Sequence, residues 1–219
     1  MVTRLIALAS GVMLALLLSM SPSWASHQYY VWTGGSYTAE SDGSVDIRTY
    51  DQNGFETTAW GCASLDVTGA FSPGIRTRPG AVGALGSSSW SSCTFSGGLD
   101  NAFTQHGTWD FVATGPATKS LNDGIPGYID GIELTMADTD FAGTVCDIDI
   151  TGSADATFYE AGAPGGQRIE IHETGGSLVI EVARRPCLGT MYSGYTMDLI
   201  GTLEVDSYAL INIDSPDHS

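Results

Sequence analysis

The chain has 219 residues, with 8 basic and 25 acidic side chains and a net charge of −17 when histidine is neutral. So few cations exclude nucleic acid as a partner, because binding to phosphate depends on Lys and Arg displacing counterions, and they disfavour anionic membrane surfaces for the same reason. The 28 glycines recur beside Ser, Thr, Asn and Asp, shortening every element, and no sustained apolar period of 3.6 appears after the N-terminus.

The chain opens with a single positive charge at Arg4, followed by an uncharged, Leu-rich run from Leu5 to Met20. That run is shorter than the roughly 20 residues a membrane-spanning helix needs. Small residues at Ser23 and Ala25 suit signal peptidase, so residues 1–25 are expected to be a signal peptide cleaved after Ala25. No Cys follows the apolar run, so no lipoprotein anchor is expected, and no later segment is apolar enough to cross a membrane as a helix. Residues 26–219 then form one β domain of a secreted, extracellular protein. At 194 residues it is long enough for one sizeable core.

Period-2 alternation marks the strands. Val45 and Ile47 share a face opposite Asp46 and Arg48. A Ser-rich run, Gly86–Ser92, reads as a loop entering the strand that bears Cys93. Asn122–Asp140 collects Asp123, Asp130, Glu133, Asp138 and Asp140 around the turn formers Pro126 and Gly127. Cys146, Ile148 and Ile150 face away from Asp147 and Asp149. The pattern returns in 167–172, where His172-Glu173 reads as a solvated pair at the strand's end, then in 177–182 and in 197–205. Half-buried strands between Gly-rich turns define an all-β antiparallel sandwich, with a barrel-like arrangement as the variant.

Cys62, Cys93, Cys146 and Cys187 are an even set in an exported chain, which predicts two disulfides with three connectivities open. Their nearest spacing of 31 residues does not suit a zinc site. A weak internal repeat favours one connectivity. Thr108–Thr114 matches Thr196–Thr202 in chemical type, and Asp66–Gly69 matches Asp149–Gly152. A Cys precedes each of the latter strings and a second Cys follows it. Two related half-units, roughly 26–120 and 121–214, would each hold their own bridge, Cys62–Cys93 and Cys146–Cys187.

The order of these features resembles a group of small secreted actinobacterial β-sandwich proteins. In that group two half-units each carry a Cys pair, a G-T-W-type strand follows the second Cys, and the closing strand is rich in Thr and Gly. The matching stretches here are 62–69, 93–111, 143–159 and 187–205. The resemblance implies export and a sandwich, and it transfers no activity and no catalytic residue.

Chemistry-bearing motifs are sparse. None of His27, His106, His172 and His218 sits in a short metal pattern, and no G-x-S-x-G elbow occurs. No cofactor is expected. Asp130, Asp138 and Asp140 are candidate Ca²⁺ ligands, since Ca²⁺ takes loop carboxylates in loose geometry, although Asp-Gly pairs are also ordinary turns. Tyr192 and Tyr195, in a Gly-containing turn, are a candidate contact surface. Tyr29, Tyr30 and Trp32 form a further aromatic group, and Trp60 and Trp90 beside cysteines read as core. The leading expectation is a non-enzymatic binding or structural module with a cell-envelope or carbohydrate ligand. The alternative is a secreted carbohydrate-active hydrolase using two of the strand carboxylates Asp147, Asp149, Glu170 and Glu181.

Overall fold

The computed structural model describes residues 28–95, 98–115, 122–140, 143, 145–208 and 210–214. The expected signal peptide, His27 and His218 lie outside them. The described residues contain no helix and form β1 (Gln28–Thr33), β2 (Gly35–Ser41), β3 (Val45–Tyr50), β4 (Glu56–Cys62), β5 (Ser64–Phe71), β6 (Gly74–Thr77), β7 (Gly80–Ser91) and β8 (Cys93–Phe95). These are followed by β9 (Asp100–Gln105), β10 (Trp109–Ala113), β11 (Ile125–Asp138), β12 (Cys146–Tyr159), β13 (Arg168–Pro186), β14 (Thr196–Ser207) and β15 (Asn212–Asp214). Every pairing is antiparallel, so the fold is all-β and sandwich-like.

Four long strands, β11 to β14, lie side by side and serve two sets of shorter ones. One end of this ribbon closes through β2, β5, β7 and β10. Leu203–Ser207 of β14 pair with β2, and Gly127–Asp130 of β11 pair with β10. The other end closes through β3, β4, β8 and β9. Thr196–Ile200 of β14 pair with β3, and Leu134–Asp138 of β11 pair with β9. The pairing thus returns on itself twice, in a disulfide-free circuit and in a disulfide circuit holding both Cys62–Cys93 and Cys146–Cys187. Each circuit takes strands from both expected half-units. The repeated strings fall in different circuits (Asp66–Gly69 in β5, Asp149–Gly152 in β12), whereas both bridges share one.

The long strands bend where they pass from one circuit to the other. Register shifts between Ile129 and Ile132, Gly152 and Ala156, and Glu173 and Leu178 mark that level. Gly152 has φ +139°, and a Cβ there would meet the Ser177 carbonyl oxygen at 2.0 Å, so the close approach of β12 and β13 requires glycine. The ladder interrupted in β13 is repaired by Glu173. Its fully buried carboxylate accepts the backbone N–H groups of Gly175 (2.8 Å), Ser177 (3.0 Å) and Asp155 (3.1 Å). The expected solvated His172–Glu173 pair is therefore corrected for Glu173, while His172 stays exposed.

Two further segments differ from expectation. The Ser-rich run belongs mostly to β7, where Ser87–Ser91 pair with β5. Hydroxyl pairs across the strands, Thr68–Ser87 and Ser64–Ser91, each at 2.7 Å, suit serine to an outward strand face. Most of Asn122–Asp140 is strand β11 rather than loop, since Ile125, Ile129, Ile132, Leu134 and Met136 are buried.

One contiguous apolar cluster runs through both circuits. Its disulfide-free part centres on interlocked rings, with Phe158 lying 4.9 Å from Phe71 and 6.2 Å from Phe111, and Tyr37 5.4 Å from Phe71. Its disulfide part is mainly aliphatic, including Val45, Ile47, Ile148, Ile150 and Leu178, with Trp60 against Phe95 at 6.3 Å beside a bridge. A separate three-stranded sheet, β15-β1-β6, buries Tyr29, Val31 and Ile213 on its inner face.

Candidate functional site

The candidate Ca²⁺ ligands do not converge. Asp130 stands opposite Asp110 in the disulfide-free circuit, eight positions along β11 from Asp138, which is roughly 26 Å of strand. Asp138 is buried at 2% exposure, and its carboxylate accepts backbone N–H groups from Cys146 (2.8 Å), Val145 (3.1 Å) and Gly143 (3.2 Å). It closes the β11–β12 turn in the same manner that Glu173 repairs β13. Asp140 accepts the Asp100 N–H at 3.4 Å. Among the described residues no group of three His, Cys, Asp or Glu side chains is arranged to hold a metal ion.

The strand carboxylates point outward and are engaged. The Arg184 guanidinium spans Asp147 (2.8 Å) and Asp149 (2.6 Å) on one face of β12. His106 and Thr135 extend the chain, with Nε2–H donating to the Thr135 oxygen at 2.7 Å and the hydroxyl to Asp149 at 3.0 Å. Hydrogen bonds from Arg184, and then from Thr135, hold the Asp149 carboxyl below its ordinary range. Glu170 pairs with Arg168 at 2.8 Å and Glu181 accepts from Thr151 at 3.1 Å. A general acid needs a carboxyl kept protonated near neutrality by burial, and Asp149 is shifted the opposite way.

Tyr192 and Tyr195 do come together, edge to face with centroids 5.6 Å apart. Tyr192 is exposed, but Tyr195 leans on the core, so one ring of the pair is free to meet a partner. A second aromatic surface lies on the outer face of the three-stranded sheet, where Tyr30 stacks on Trp32 at 6.1 Å and Ile75 stands opposite Tyr30.

Sequence reasoning missed a groove of about 790 Å³ on the outer face of the disulfide-free circuit, where β2, β5 and β7 run side by side beyond the end of β14. Its floor is Gly69, Ala70, Ala84 and Gly86; Ser36, Thr38 and Thr68 supply hydroxyls; and Asp206 and a fully exposed Tyr208 form the rim. The floor is set from beneath, because the Tyr37 hydroxyl donates to the Ala84 carbonyl at 3.3 Å and a Cβ at residue 69 would lie 2.5 Å from that ring. Burial raises the Tyr37 phenol far above its ordinary value, keeping it neutral in that place. Beside the groove, Glu204, Glu40 and Asp66 stand directly opposite one another across β14, β2 and β5.

No protein-family model matches the chain, and no curated protein or solved structure matches it either. The fold itself defines an all-β, disulfide-bonded protein of the kind found in oxidising compartments. Among the described residues no helix is long and apolar enough to cross a membrane.

Proposed function

We propose that this is an exported, non-catalytic binding or structural module acting outside the cell, in keeping with its resemblance to small secreted actinobacterial proteins. The observation that carries this reading is the state of the strand carboxylates. Of the carboxylates a hydrolase would use, Asp147 and Asp149 lie on an outward face bonded to Arg184, and Glu170, in an open depression with Asp42 and Asp46, is bonded to Arg168. The disulfides add support, since each closes a loop of 31 or 41 residues, and such bridges persist where thiols are not kept reduced.

The test combines two measurements on the purified protein. It is incubated with envelope polysaccharide from the producing cell, and retention and release of reducing ends are both followed. Retention without release supports the module. Release of reducing ends that is abolished in Asp149→Asn would establish the hydrolase instead.

A further inference from the structure

We propose that the groove under Tyr208 is a saccharide-binding site, taking a neutral polyhydroxylated chain with Tyr208 as its stacking residue. This deepens the module reading and rests on it.

Three features point to that chemistry. The first is the pairing of an apolar floor with closely spaced hydroxyls. A sugar ring has a C–H face and an equatorial girdle of hydroxyls, so it needs a flat apolar surface beneath and donors and acceptors at its edge. Gly69, Ala70 and Ala84 give the surface; Ser36, Thr38 and Asp206 stand along the edge. Tyr208 supplies a ring that meets no aromatic partner among the described residues, an amphipathic face suited to contact with C–H groups and water together.

The second feature is Gly86. It occupies the extra position of a bulge, with Thr68 paired to Ser87 and Gly69 to Leu85. Its φ does not lie in the left-handed region, and an added Cβ would meet nothing nearer than the Thr68 carbonyl oxygen at 3.5 Å, an ordinary contact. The fold does not require glycine there. A strand glycine marks a bulge or a close approach to the backbone, and here the bulge leaves an open backbone position on the groove that a ligand can reach.

The third feature is charge. Among the described residues, no Lys or Arg pairs with Asp206 on the groove's rim or with Glu40, Asp66 and Glu204 in the depression beside it. Uncompensated carboxylates repel uronates, sulfated sugars and phosphates and leave a neutral chain unaffected.

The experiment titrates the purified protein with cellohexaose, maltohexaose and N-acetylated chitohexaose as neutral probes and with oligogalacturonate as the anionic one. At least one neutral probe is expected to bind, and oligogalacturonate is not. Tyr208→Ala should weaken binding about tenfold. Gly86→Val, which fills the groove, should abolish it with a melting temperature within about 2 °C of wild type. Trp32→Ala, on the separate aromatic face, should leave affinity unchanged. Binding by Gly86→Val equal to wild type, loss through Trp32→Ala in place of Tyr208→Ala, or equal affinity for oligogalacturonate would each overturn the assignment. So would no neutral probe binding. In that case a protein still retained on envelope material keeps the module reading while the saccharide groove falls.

Discussion

The two circuits share four strands yet are held together by different means. The disulfide circuit has a mainly aliphatic core with Trp60 against Phe95 beside one bridge, two bridges in all, and the buried Asp138 carboxylate across its β11–β12 turn. The disulfide-free circuit has no covalent tie and relies on the Tyr37–Phe71–Phe158–Phe111 ring cluster, with the groove on its outer face. A core of large rings interlocks without cross-links, and it fixes a surface from below, as Tyr37 fixes the groove floor. The covalent circuit anchors the ribbon and leaves the other outer face free for contact with a ligand.

Reducing and alkylating all four cysteines should have the largest effect. Each loop contributes about 4 kcal/mol in the chain-entropy account, so the loss approaches the stability of a whole domain. Native-state hydrogen exchange should show protection falling first in β3, β4 and β8. Equal loss in β5 and β7 would show that the two circuits unfold as one unit and would end the contrast.

Phe158→Ala tests the other side. Phe158 is fully buried between Phe71 and Phe111, and truncation should cost about 3–5 kcal/mol. The loss should appear as exposure of β5, β7 and β10 with both disulfides intact, and groove binding should fall with it. Retained groove binding in a destabilised Phe158→Ala protein would show that the ring cluster does not set the floor.

Asp138→Ala should cost about 2–3 kcal/mol, because it strands the Val145 and Cys146 backbone donors, whereas Gly143 N–H keeps the Asp138 backbone carbonyl at 3.0 Å. Asp138→Asn should cost less. Its carbonyl oxygen can still take the Val145 and Cys146 N–H groups, while its amide faces the N–H of Gly143. Melts in CaCl₂ and in NaCl of matched ionic strength should coincide for wild type. A specific calcium stabilisation, lost in both variants, would make Asp138 a ligand and displace the structural account.

Much of the disulfide circuit was legible because its strands alternate cleanly: Val45 and Ile47, or Cys146, Ile148 and Ile150, go inward, and the residues between go out. The Cys pairing followed from the order of the repeated strings, although those strings occupy different circuits. What was hidden depended on long-range pairing. Residues 168–172 and 177–182 are parts of one 19-residue strand, but Gly175-Gly176 reads locally as a break. Glu173 beside it looks like surface until Asp155, far off in sequence, is brought to it. The groove was illegible for the same reason. Ser36, Thr68, Gly86 and Tyr208 come from four distant segments, and serine- and glycine-rich sequence carries loop propensity that strand pairing overrides.

The smallest expected effect concerns Glu160, which fastens the three-stranded sheet to the turn after β12 by accepting the Ile213 N–H at 2.5 Å. Burial raises its pKa above the ordinary carboxylate value, the Ile213 hydrogen bond opposes that shift, and nearby Asp214 adds to it. The folded protein therefore holds this proton to higher pH than the unfolded chain does. The contribution is fully present below the ordinary carboxylate pKa and is lost as pH rises through the raised folded value. Asp149 and Asp51 act in the opposite direction, the latter through the Phe55 N–H above all, and their contributions are lost as pH falls through their lowered values. The two windows lie on opposite sides of about pH 4, so they separate in a pH series of melts. Glu160→Gln keeps an acceptor oxygen for Ile213 and removes the ionisation. It should match wild type at the acid end and melt about 2 °C higher at pH 7. A variant that melts lower at pH 7 would show that the charge on the Ile213 hydrogen bond outweighs its desolvation. The β15 edge would then be held by an ion–dipole contact rather than strained by a half-buried carboxylate.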